Sequence, residues 1–97
     1  MNNIWIFVGL HGERNASFPS GAFSSFETAD GWIRENKLSG TLTEYPIDVG
    51  VYDWAIANGW FKPKRPDQAS PEFVQRFTTA SQQHYHYENG RTGQEGD

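Results

Sequence analysis

Apolar positions along the chain mark out strands and helices in turn. Ile4, Trp5, Ile6, Phe7 and Val8 form an unbroken apolar run, which predicts a buried first strand over Asn3–Gly9. Residues 10–15 read as a polar turn. Residues 18–23 read as a second strand interrupted by Pro19 and Gly21; because Pro cannot donate to a ladder, this is an edge or bulged strand. The short spacing makes the two strands an antiparallel hairpin.

The period then lengthens. Phe26, Ala29 and Ile33 recur at helical spacing, flanked by Trp32, with Asp30 and Arg34 as an i,i+4 pair. Ser24-Ser25-Phe26-Glu27 has the form of a capping box, with Ser24 at the cap and Glu27 three residues on. Gly31 interrupts the helix, either to allow close packing on the sheet or as a weak point costing about 1 kcal/mol relative to Ala. Thr41-Leu42-Thr43-Glu44-Tyr45 alternates as a half-buried strand ended by Pro46. A short helix carrying Val51, Tyr52, Ala55 and Ile56 starts at Asp48 or Gly50, with Gly59 at its C′ position. Residues 62–69 form a Pro-punctuated loop. Ser70-Pro71-Glu72 opens a further helix, with Ser as cap and Pro at N1, and residues 82–88 alternate as a final strand. Residues 91–97 carry no apolar side chain and are expected to form a flexible tail. The fold class predicted is α+β: a small, mainly antiparallel sheet packed with two to three helices, in one domain over residues 1–90.

Composition sharpens this. Fifteen aromatic residues against twelve Ile, Leu and Val make the rings either the core of a short chain or an exposed recognition surface. The absence of cysteine excludes disulfides, thiolate nucleophiles and Cys-based zinc sites, and fits a cytoplasmic protein. No segment approaches the ~20 apolar residues of a membrane span, and the N-terminus lacks a signal peptide's basic and apolar regions. The net charge of −4 is uneven, with residues 62–76 locally basic through Lys62, Lys64, Arg65 and Arg76. One short basic segment is too little for a phosphate backbone, so nucleic acid is not an expected partner.

Several longer motifs carry a resemblance. They are Ser20-Gly21-Ala22-Phe23-Ser24-Ser25, Leu38-Ser39-Gly40-Thr41-Leu42-Thr43-Glu44-Tyr45-Pro46, Tyr52-Asp53-Trp54-Ala55 and His84-Tyr85-His86-Tyr87-Glu88-Asn89-Gly90. In these the chain resembles short, stand-alone bacterial proteins grouped as a domain of unknown function. The resemblance implies a compact α+β domain and brings no catalytic residue with it.

Three chemistries compete for the remaining residues. Glu44, Tyr45, Asp53, Trp54 and Trp60 gather aromatics beside carboxylates, as interface hot spots do; the competing reading buries those rings in the core. On this pattern the chain is a non-enzymatic protein-binding module, with an immunity or antitoxin-like inhibitor of a basic toxin or enzyme as one version, acting as monomer or homodimer. His84, His86 and Glu88 share one face of a strand and offer a His-His-carboxylate zinc site, with His11 as a further donor; the competing reading is a solvated strand face opposite Tyr85 and Tyr87. A small-molecule sensor with a pocket among Trp54, Trp60 and Tyr45 is the third. Glu44, Asp48 and Asp53 also offer carboxylates for acid–base work, against simple helix capping by Asp48. No nucleophile elbow or phosphate-binding loop is present. No cofactor is expected outside the zinc alternative.

Overall fold

The computed structural model describes residues 3–10 and 18–93. Five strands form one antiparallel sheet in the order β2-β1-β3-β4-β5: β1 Asn3–Gly9, β2 Pro19–Phe23, β3 Gly40–Pro46, β4 His84–Glu88 and β5 Arg91–Thr92. Three helices accompany it: α1 Phe26–Glu35, α2 Val51–Ala57 and α3 Pro71–Gln75, the last preceded by a 3-10 turn over Pro66–Ala69. The α+β expectation holds, and β1 and β2 form the expected antiparallel pair.

The core lies between α1 and one face of the sheet. Trp5 and Phe7 from β1, Leu42 from β3 and Tyr87 from β4 meet Ala29 and Ile33 of α1. Period two puts Ile4, Ile6 and Val8 on the opposite face, where they are only half-buried. The apolar run of β1 therefore does not mark a strand buried on both sides. Phe26 and Tyr85 close the core edge, their rings 4.8 Å apart.

Ser25, rather than Ser24, caps α1: its hydroxyl accepts from the Thr28 amide at 3.1 Å. The Asp30–Arg34 pair forms, at 2.7 Å. Gly31 is exposed, and a Cβ there would meet nothing within 4 Å, so close packing is not its purpose. Gly40 differs, because a Cβ would stand 2.3 Å from the Val8 carbonyl oxygen and 2.7 Å from the Gly9 Cα.

A second aromatic cluster holds residues 52–77 together. Tyr52, Phe61, Phe73 and Phe77 meet ring to ring at 4.9–6.2 Å. The Tyr52 hydroxyl donates to the Gln68 carbonyl at 2.7 Å, which ties α2 to the 3-10 turn. The chain returns to the sheet at Gln82, a buried side chain that donates to the Glu44 carbonyl at 3.2 Å.

The sheet runs further than residue 90. Asn89 and Gly90, with φ of 53° and 84°, make the left-handed pair that a two-residue hairpin needs. They turn the chain into β5, where Thr92 is buried. The tail expected over residues 91–97 thus gives up its first residues to the sheet, and residues 94–97 lie outside the described residues.

Candidate functional site

The end of α2 is built to bring two tryptophans together. Asn58 is its C-cap, and Gly59 follows at C′ with a φ of 78°. The Gly59 amide donates to the Ile56 carbonyl at 3.0 Å and the Trp60 amide to the Ala55 carbonyl at 2.9 Å, the paired bonds of a Schellman turn. That turn reverses the chain and lays Trp60 against Trp54, ring centroids 5.0 Å apart at 76°, an edge-to-face contact. The Asn58 side chain locks the turn by donating to the Trp54 carbonyl at 2.8 Å.

This corner is exposed and apolar. Trp60 keeps 49% of its surface accessible, and Ile47, Val49 and Ile56 in the same segment are also open. Residues 38–61 carry Glu44, Asp48 and Asp53 and no Lys or Arg, so the local field is negative. Asp53 is exposed in the first turn of α2, at the favourable end of the helix dipole. Asp48 does not cap α2: Gly50 is the N-cap, and Asp48 sits outside the helix with φ of 71°.

The other two proposed binding residues are divided. Glu44 and Tyr45 are consecutive on β3 and point to opposite faces of the sheet. The Glu44 carboxylate accepts from the Asn3 side chain at 2.8 Å. Tyr45 pairs with Ile4 in register and lines a cleft of about 270 Å³ with Thr43, Ala80 and His84. Tyr45 makes no ring contact with either tryptophan among the described residues. Ile47, Val49 and Ile56 escape a reading based on aromatics and carboxylates. Their sequence signal is a set of apolar residues around Asp48 and α2 that no single face of strand or helix absorbs.

Among the described residues the histidine face is present without a metal cluster. His84 and His86 lie side by side, ring centroids 5.4 Å apart. Their Nδ1 atoms are engaged, His84 with the Gln82 carbonyl at 3.0 Å and His86 with the Thr41 hydroxyl at 3.3 Å. Among the described residues no group of three His, Asp or Glu stands close enough to hold a metal. The reason is strand geometry: four residues at ~3.3 Å each put the backbones of His84 and Glu88 about 13 Å apart, too far for one zinc. His11 lies outside the described residues.

Tyr87 carries a shifted phenol. It is buried at the core edge and donates to Asp30 at 2.7 Å. Burial, and then the hydrogen bond to Asp30, hold the phenol well above its ordinary range. The group ties β4 to α1.

A family model described as a domain of unknown function (DUF7710) matches residues 4–93, from β1 through β5. The chain belongs to the DUF7710 family. In this member the family match takes in both aromatic clusters and the Trp54–Trp60 corner. No curated protein and no solved structure gives a significant match. No helix among the described residues is long and apolar enough to cross a membrane.

Proposed function

We propose that this DUF7710 domain is a non-enzymatic protein-binding module whose contact surface is the Trp54–Trp60 corner. The observation that carries the reading is the half-exposed Trp60 ring, held edge-to-face on Trp54 by a rigid helix end. Pre-ordered aromatics lose little freedom on binding, and Trp is the residue most enriched in interface hot spots. Ile47, Val49 and Ile56 supply further apolar area, and Asp48 and Asp53 give the surface a negative sign. The partner that complements it is a protein with a basic rim around an apolar pocket. A cytoplasmic immunity or antitoxin-like inhibitor, occluding a basic toxin or enzyme, is the specific form of this reading.

The test is affinity capture from native lysate of the tagged protein beside its Asp53→Ala, Trp60→Ala variant. One stoichiometric partner, captured by the parent and lost by a variant with unchanged circular dichroism, supports the module. Equal capture by both proteins, or none by either, rejects it.

A further inference from the structure

At the far end of the sheet, between β1, β2 and the end of α1, lies a cleft of about 530 Å³. Phe7, Leu10, Trp32 and Leu38 give it apolar walls. The wall is pre-formed, since Trp32 packs on Phe7 at 5.9 Å and on Phe23 at 5.3 Å. Among the described residues Lys37 is the sole charged residue of its lining, and it is positive, in a chain whose net charge is −4. Among the described residues its ammonium makes no ion pair.

Lys37 also occupies an unusual backbone position. α1 ends like α2, in a Schellman turn: the Lys37 amide donates to the Arg34 carbonyl at 3.2 Å and the Leu38 amide to the Ile33 carbonyl at 3.0 Å. In α2 the C′ position of that turn is Gly59; in α1 it is Lys37, with φ of 56°. A left-handed conformation is unfavourable for a lysine, and the favourable charge at the negative end of α1 offsets only part of that cost. The side chain is kept where glycine would be easier.

We propose that this cleft binds a small monocarboxylate with an aromatic or branched apolar body, which lies against Trp32, Phe7 and Leu10 while its carboxylate pairs with Lys37. The volume is that of ordinary small-molecule sites, and a single cation on an apolar wall selects one negative charge. This site is separate from the Trp54–Trp60 corner, and either holds without the other.

Titration of the ¹⁵N-labelled full chain with indole-3-propionate and with its neutral amide tests it. The acid shifts the backbone amides of Leu10, Lys37, Leu38 and Ser39, and binds about fivefold more tightly than the neutral amide, the scale of one partly exposed charge pair. Lys37→Gly loses that preference while its unfolding midpoint rises by a few degrees, because the left-handed cost is removed. Lys37→Gln keeps the backbone cost and loses the preference without the rise. Equal binding of acid and neutral amide, undiminished acid binding by either variant, shifts centred elsewhere, or none up to about 10 mM overturns the proposal.

Discussion

The Tyr87 phenol on β4 donates a 2.7 Å hydrogen bond to Asp30 on α1, whose other carboxylate oxygen accepts from Arg34 at 2.7 Å. One carboxylate thus joins the sheet to the helix that covers it. Tyr87→Phe removes the donor and leaves Asp30 its Arg34 partner. Urea unfolding of the variant is expected to show a loss of about 1.5–3 kcal/mol, the range for a hydrogen bond to a charged group.

The same contact sets the alkaline limit. A phenol whose folded pKa is raised contributes stability that is complete below the unfolded value near 10 and is lost as pH rises above it. Stability should therefore fall above about pH 10 more steeply in the parent than in Tyr87→Phe. In absorbance titration, Tyr87 should ionise only as the domain unfolds.

Ser25 and Ser24 are neighbours with different roles. Ser25→Ala removes the bond to the Thr28 amide and should cost about 1 kcal/mol in thermal or urea unfolding. Ser24→Ala should change stability by less than about 0.5 kcal/mol, as at an ordinary surface position.

Gly31 and Gly40 should respond to alanine with opposite signs. Gly31→Ala adds a methyl in open space on a helix and should stabilise by about 0.5–1 kcal/mol. Gly40→Ala drives a methyl into the β1 backbone and should unfold the domain or cost several kcal/mol, on the order of 3 or more. Circular dichroism melts of the two variants distinguish these outcomes.

Strong local signals carried most of the fold. The alternation of β3, the 3.6 period of α1, Ser70-Pro71 at the start of α3 and Gly59 after α2 each predict the element found there. β5 is harder to read, because its two residues carry no apolar side chain and only the Asn89-Gly90 turn announces it. The capping serine slipped by one residue because Ser24 and Ser25 are adjacent and only Ser24 has Glu three positions on. The site was legible in part. Trp54 and Trp60 are six residues apart and meet through a helix end that Gly59 signals, whereas Glu44 and Tyr45, adjacent on a strand, are separated by its period of two. Nothing local reveals which rings the Phe61–Phe73–Phe77 cluster withdraws from solvent, since that depends on how residues 61–77 fold back on Tyr52.

The most direct measurement is the affinity of parent and Trp60→Ala for the partner captured by the parent, at low and high salt. Trp60 is half exposed, so its loss should cost the fold its ring contact, about 0.5–1.5 kcal/mol, and the burial of the covered half of the ring, on the order of 2 kcal/mol, while weakening the complex at least about tenfold. High salt should weaken the parent complex as well. A partner bound equally by Trp60→Ala, or the absence of any captured partner, contradicts the account.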